Sequence, residues 1–432
     1  MDKNDIKIIL TDWNYWGSYT DSSIQRPRYT AILERYLKIR EIIVCSGVRR
    51  SGKSTIITQF LKQYIPSENI KNTLIINFED PRFRKPTLDL LNSIYEVYQE
   101  EVLPDRDHYV VLDEVQEIEG WEKFARFLTE AKKVQVFVTG SSSKLLSGEY
   151  ATLLTGRHID LEIFPLSFDE FILFKGITIE NEIDAVKKRH LIKNLLHEYI
   201  EYGSFPKVTL IEKNDRRILL ENYLRDILTK DIQKRYKIRE FDKLEELAKY
   251  YLTHISTLQP FNKVKNALGI SLDTVGRFSH YFTAAGLLFF IRRFSYSKRE
   301  QILNPKKVYC VDVGIRNTMS FRFNEDLGRL IENIVCVNLV RKGYEVYYFR
   351  SKKTNKEVDF VIKGKLKIDE LIQVCYTLDD PETKKREITA LLEASKELRC
   401  DSLRIITYDF DGEEEVNGKK ILYSSLWKWL LE

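Results

Sequence analysis

Four short runs of apolar residues recur early in the chain: Glu41–Ser46, Asn72–Phe78, His108–Glu114 and Val134–Gly140. Each is too short for a helix and nearly unbroken, the signature of a strand buried on both faces. Between them lie segments with apolar residues three and four apart, including "STIITQFLKQYI" and "LDLLNSIYEVYQEEV". Alternating strands and helices predict an α/β fold with a parallel sheet and helices on both faces. A fifth run, His158–Ser167, closes that unit, and Tyr29–Ile39 upstream has helical spacing.

Further on the pattern changes. From Phe168 to about Pro206 and from about Glu221 to Ala284 the spacing is helical, and the pair "LLFFIRRFSY" and "KKVYCVDVGI" predicts a hairpin. From about Asp326 the order reads helix, three strands, helix, strand. The boundaries expected are an N-terminal arm and helix over 1–40, an α/β core over 41–167, a helical lid over 168–220, a helix-turn-helix with a hairpin over 221–325, and a small α/β unit over 326–432.

Composition narrows the class only slightly. Of 432 residues 43% are hydrophobic and the net charge is +5. So mild a charge permits nucleic-acid binding only through local clustering of cations. The five cysteines, Cys45, Cys310, Cys336, Cys375 and Cys400, form no CxxC pair, which argues for reduced thiols and against a zinc site. The longest apolar run, Ala284–Ile291, is too short to span a bilayer, so no membrane role and a cytoplasmic location are expected.

The chemistry begins at "GVRRSGKST". Gly47-x-x-x-x-Gly52-Lys53-Ser54 is a P-loop (Walker A) pattern, set between a predicted strand and a predicted helix as the motif requires. The loop residues Gly47, Val48, Arg49, Arg50, Ser51, Gly52, Lys53, Ser54 and Thr55 are the candidate phosphate-binding set. Its glycines let the backbone turn N–H groups toward a phosphate, Lys53 adds a point charge, and Ser54 offers a hydroxyl to Mg²⁺. Arg49 and Arg50 are expected either to add charge beside the phosphates or to pair with acids such as Glu79 and Asp80. In "YVVLDE", a Walker B pattern, Asp113 is placed to hold the Mg²⁺ water shell and Glu114 to polarise the attacking water. In "VFVTGSSS", Thr139 or Ser141 is expected either to sense a γ-phosphate or to belong to a serine-rich turn capping the next helix. Arg157 is expected either to stabilise transition-state charge in its own or a neighbouring subunit or to be solvated or ion-paired.

The segments "GVRRSGKST", "INFEDPRF", "LDEVQ", "TGSSS", "GRHIDLEIFPLSFDEF" and "YGSFP" together resemble AAA+-type ATPases of a widespread archaeal and bacterial group. That group carries a winged-helix segment and a C-terminal domain related to restriction endonucleases. The resemblance implies a P-loop ATPase of the ASCE/AAA+ type with strand order 5-1-4-3-2, ATP as nucleotide, and hydrolysis. It covers the chain from about Arg26 onward. DNA and a second copy of the chain are the candidate partners. The readings carried forward are an ATPase acting on DNA, a nucleotide-dependent regulatory switch binding a protein partner, and an ATP-regulated nuclease.

Phe261–Leu288 has the grammar of a helix-turn-helix, with Gly269 ending one helix and Ser271 or Asp273 capping the next. Ser271, Thr274, Arg277 and His280 are expected to face outward as candidate DNA contacts. In the nuclease-like unit, Glu332 on a helix and Glu357 and Asp359 on a strand match the acids of that fold. The following strand carries Gln373 and Cys375 where Glu and Lys are expected. Neutral glutamine is a poor Mg²⁺ ligand and a thiol supplies no cation. This is therefore expected to be a vestigial site without nuclease activity, unless Lys365 or Lys367 takes the lysine role.

Overall fold

The computed structural model describes residues 1–20, 23–84, 86–105, 107–140, 154, 156–319 and 326–432. The chain divides into two compact units, Met1–Ile163 and Phe164–Glu432.

In the first unit β1 (Ile42–Ser46), β2 (Thr73–Asn77), β3 (Tyr109–Asp113), β4 (Gln135–Thr139) and β5 (His158–Glu162) form one parallel sheet in the order β2-β3-β4-β1-β5. This is the strand order that the family resemblance implies. Alternate residues of each strand serve opposite cores, as the two-residue strand period demands. Ile42, Val44, Val110, Leu112, Val136 and Val138 pack with helices Lys3–Trp13, Leu88–Glu101 and Trp121–Glu130. Ile43, Cys45, Val111 and Phe137 pack with helices Pro27–Leu37 and Lys53–Tyr64.

β2 ends the sheet, and an open edge would leave its backbone groups unpaired. The N-terminal arm closes it. Asn14 donates to Ile75 O at 2.9 Å and accepts from Ile75 N at 2.7 Å, and the Trp16 indole donates to Thr73 O at 2.8 Å. A side-chain amide thus does the work of a neighbouring strand.

The second unit starts with helices Phe168–Phe174, Glu182–Lys187, Arg189–Tyr202, Pro206–Leu210 and Lys213–Asp226. The last of these runs on through a π-helical turn, Ile227–Gln233. Helix Phe241–Thr253, strand β6 (Thr257–Gln259), helices Phe261–Leu268 and Leu272–Ala284, and strands β7 (Leu288–Ile291) and β8 (Lys306–Cys310) follow. The three strands form an antiparallel sheet ordered β6-β8-β7. The hairpin of β7 and β8 was expected; β6 was not.

Helix Leu327–Arg341 leads into a six-stranded sheet of β9 (Glu345–Arg350), β10 (Glu357–Lys363), β11 (Ile368–Cys375), β12 (Leu403–Thr407), β13 (Gly412–Val416) and β14 (Lys419–Ser425). Its order is β13-β14-β12-β11-β10-β9, with β11, β12 and β14 parallel. Helix Pro381–Leu398 crosses over from β11 to β12.

One glycine explains the quoted "YGSFP". Gly203 ends helix Arg189–Tyr202 at φ 72°, ψ −156°, a region open essentially to glycine alone. A Cβ there would fall 2.0 Å from Asp312 Oδ1. The room is used: Asp312 accepts from Ser204 N at 2.7 Å, Ser204 Oγ at 2.9 Å and Gly314 N at 2.9 Å. The buried carboxylate fastens the helical segment to the turn after β8.

Candidate active site

The loop after β1 is shaped by its glycines. Gly47 lies so close to the Ile163 carbonyl that a Cβ would sit 2.1 Å from that oxygen, and Gly52 takes φ 97° to start helix Lys53–Tyr64. Arg50 adopts the left-handed conformation at φ 70°, a cost of about 1–2 kcal/mol for a non-glycine residue. Lys53 is buried, and its ammonium lies 3.3 Å from Gly47 O and 3.4 Å from Val48 O. Arg26, from the arm, donates to Ser51 O at 3.0 Å and stacks over Tyr29.

The two motifs meet at Asp113. Its Oδ1 accepts from the Ser54 hydroxyl at 2.7 Å and from the Thr139 hydroxyl. Thr139 in turn accepts from Glu114 N at 3.1 Å. Burial raises the Asp113 carboxyl to about 6, against the opposing pull of the Thr139 hydrogen bond. Glu114 stands at φ 54°, ψ 38°, and its carboxylate accepts from Gln116 Nε2. One strand tip therefore presents two acids with different environments, Asp113 tied to the P-loop through Ser54 and Glu114 in a left-handed turn beside Gln116.

These residues fit a nucleotide phosphate and Mg²⁺. Among the described residues the buried Ser51 hydroxyl has no hydrogen-bond partner, and Ser54 and Asp113 already converge on one point. Bound there, Mg²⁺ would neutralise phosphate charge. Ser54 and Asp113 would hold it, while Lys53 faces the phosphates.

Other expected residues have definite places. Thr139 is fully buried, and its hydroxyl is engaged by Asp113 and Glu114 rather than aimed outward as a phosphate sensor. Ser141 lies outside the described residues. Arg49 pairs with Glu79 at 3.2 Å, while Asp80 is taken by Arg82 at 2.7 Å and by the Trp13 indole at 2.7 Å. Arg157 pairs with Glu130. Val48 is buried and Thr55 half-buried. Gln116 and Arg26 were missed; the quoted "LDEVQ" already held the first.

In the second unit, Ser271 caps helix Leu272–Ala284 by accepting from Thr274 N at 3.0 Å. Thr274 is only 8% exposed, which corrects its expected outward placement: it sits in the first turn, turned toward its cap. Arg277 and His280 are exposed, but Arg277 pairs with Asp273 at 3.0 Å.

The expected vestigial acids do come together, around a residue that was not foreseen. Lys307 of β8 places its ammonium 3.1 Å from Glu332, 2.7 Å from Glu357 and 2.9 Å from Asp359. Gln373 accepts from Asp359 N at 3.2 Å and donates to Glu387, while Val374 N donates to Asp359 at 3.0 Å. Burial pushes the Glu332 carboxyl up to about 8, and the surrounding acids hold the Lys307 ammonium firmly protonated. Cys375 donates to Thr377 O at 2.9 Å, and neither Lys365 nor Lys367 pairs with these acids among the described residues.

The parallel sheet, the P-loop and the paired acids at the tip of β3 define an AAA-type P-loop ATPase. Residues 39–172 match the family model described as an AAA domain; residues 193–326 and 327–422 match two domains of unknown function, DUF8612 and DUF4143. The chain is 36% identical over 418 residues to "Uncharacterized protein MJ1544" of Methanocaldococcus jannaschii, covering 93% of this chain and 91% of that one. It belongs to the same family as that protein. An "Uncharacterized protein" of Haemophilus influenzae is 28% identical over 417 residues, covering 95% and 99% of the two chains. Among solved structures, the Walker-type ATPase PABY2304 of Pyrococcus abyssi matches with TM-score 0.42 and 12% identity, over 70% of this chain and 99% of that one. The Aeropyrum pernix Orc1 protein, solved in complex with DNA, matches with TM-score 0.31 and 10% identity, over 72% and 96%. No helix among the described residues is long and apolar enough to cross a membrane.

Proposed function

We propose that the chain hydrolyses ATP with Mg²⁺ at the P-loop, and that the nucleotide state drives a winged-helix module and a nuclease-like domain acting on DNA. The observation that carries the ATPase assignment is the Ser54–Asp113 hydrogen bond beside Lys53, with Glu114 held apart on the same strand tip. In this reading Lys53 binds the phosphates, Ser54 and Asp113 hold the metal, and Glu114 takes up the proton from the attacking water. Thr139 fixes the two acids relative to each other. Arg157, released from Glu130, is the candidate for charge stabilisation on its own or a neighbouring subunit.

The winged-helix reading is supported by the order helix, β6, helix, helix, β7, β8 with β8 central. The DNA reading rests on the wing between β7 and β8 more than on the second helix. Arg292, Lys298 and Arg299 are exposed there, make no ion pair among the described residues, and flank Tyr296, which is 81% exposed. Such a cluster suits phosphates with a ring beside them. A second reading, a switch that binds a protein partner, is favoured by one observation: Asp273, 79% exposed at its side chain, neutralises Arg277 on the helix that would enter a groove.

Lys298→Ala/Arg299→Ala separates the two. If the wing neutralises two phosphates, its loss lowers duplex affinity and reduces the slope of log affinity against log salt by about 2. Unchanged DNA affinity and salt slope would remove the wing from the DNA reading.

A further inference from the structure

The acid centre of the nuclease-like domain has an occupant of its own. Glu332 comes from helix Leu327–Arg341, Glu357 and Asp359 from β10, and the cation among them from β8, a strand of another sheet. A side chain 3% exposed holds its ammonium within 3.1 Å of all three carboxylates. The acids alone would assign nothing. A compact, fully charged group lodged where they converge marks the centre as one that holds a cation. Among the described residues, no group of three His, Cys, Asp or Glu is arranged to hold a metal ion.

The lysine is also fixed in place. β8 is the central strand of its sheet, paired with Thr257 and Leu258 on one side and with Phe290 and Ile291 on the other. Tyr309, two residues on and on the same face, donates to Glu332 at 2.7 Å. Next along, the Cys310 backbone exchanges two hydrogen bonds with Asn333, at 2.7 and 2.8 Å. Withdrawing the ammonium would mean breaking a sheet and its seam with the helix that carries Glu332.

We propose that Lys307 is a tethered cation standing in the place of a divalent metal, so that the native chain binds no divalent ion at this centre and loss of the lysine side chain opens it to one. The three carboxylates are hard oxygen ligands suited to Mg²⁺, Ca²⁺ or Mn²⁺. An ion of calcium size takes oxygens at about 2.3–2.6 Å. The carboxylates, now 2.7–3.1 Å from Nζ, would have to close in by about half an ångström for an ion of that size and further for the smaller Mg²⁺ or Mn²⁺. The vacated lysine stem leaves space for water ligands. This inference stands independently of the ATPase and DNA readings.

The test is Mn²⁺ binding to the full-length, nucleotide-free chain, read by the electron paramagnetic resonance signal of the free ion. Lys53→Ala is the background throughout, so that the P-loop contributes no difference. Without a change at Lys307 the chain is expected to show no Mn²⁺ site at this centre. Lys307→Ala is expected to gain one site at least about tenfold tighter than any background binding, and Lys307→Ala/Asp359→Asn to lose it. A melting temperature that Mn²⁺ raises in Lys307→Ala, but not in the chain with Lys307, would support the same conclusion.

Two results would overturn the proposal. One is a folded Lys307→Ala chain that binds no Mn²⁺. The other is Mn²⁺ binding with Lys307 present that Asp359→Asn abolishes, which would make the lysine a neighbour of the metal and not its replacement. If Lys307→Ala does not fold, Lys307→Ala/Glu357→Gln, with one repelling carboxylate fewer, is titrated for the same outcomes. Failure of both variants to fold even in millimolar Mn²⁺ counts against the proposal, because an open site would then have been filled.

Discussion

Replacing Thr139 with valine keeps the shape of a fully buried side chain and deletes only its hydroxyl. That hydroxyl donates to Asp113 and accepts from Glu114 N at 3.1 Å. Thr139→Val thus strands a backbone donor and removes one of the two hydroxyl donors to Asp113 Oδ1. A buried donor left without its partner costs about 1–3 kcal/mol. Glu114 also sits in a left-handed conformation at φ 54°, which costs about 1–2 kcal/mol, and its N–H is tied to the Thr139 hydroxyl. If that energy keeps Glu114 where it polarises water, its loss appears in the barrier as a fall in kcat of roughly 5- to 150-fold. Among the described residues Lys53 and the P-loop backbone make no hydrogen bond with this hydroxyl, so equilibrium ATP affinity should change much less than kcat. Thr139→Ser should retain most of the rate, because it keeps the oxygen. Steady-state phosphate release and nucleotide binding measured on the three proteins decide the matter. A Thr139→Val protein that melts early but hydrolyses ATP at the wild-type rate would show that the hydroxyl supports the fold and not the position of Glu114.

Two further outcomes follow from buried contacts away from the nucleotide. Gly203→Ala forces a side chain into a glycine-only conformation and onto Asp312, and should cost at least about 3 kcal/mol, read as a lowered melting temperature and denaturation midpoint. Asp80 is depressed to about 2 by Arg82 and by the Trp13 indole. Its folded value lies below its unfolded one, so its contribution is full above about pH 4 and is lost as pH falls through 2. Asp80→Asn should therefore be destabilised by roughly 2 kcal/mol at pH 7, and the gap to the wild type should close between pH 4 and pH 2 in urea unfolding. A gap independent of pH would refute the ionic origin.

Local pattern carried the first unit far. β1, β3 and β4 begin within one residue of the apolar runs, because strands covered on both faces leave an unbroken apolar signal. The P-loop and the Asp113–Glu114 pair were readable for a related reason: their chemistry is set by residues adjacent in sequence. What stayed hidden depends on distant partners. Asn14 finishes the edge of β2 from 61 residues away, and Lys307 meets Asp359 across 52 residues and from another sheet. No periodicity reports such a meeting. The β13–β14 hairpin is a different case, since Asn417 and Gly418, both at positive φ, are a recognised two-residue turn that was overlooked in the sequence. Thr274 was misplaced because it lies on the buried face of its helix with Val275, Phe278 and Phe282, whatever the polarity of its side chain.

Glu114→Gln, compared with the wild type for ATP binding and for phosphate release with and without duplex DNA, addresses hydrolysis and its coupling together. The wild type should turn over ATP and do so faster with DNA, in proportion to DNA occupancy. Glu114→Gln should bind ATP as tightly as the wild type and release no phosphate above background in either condition. Wild-type turnover by Glu114→Gln would contradict the assignment of the water-polarising residue, and a wild-type rate indifferent to saturating DNA would contradict the coupling.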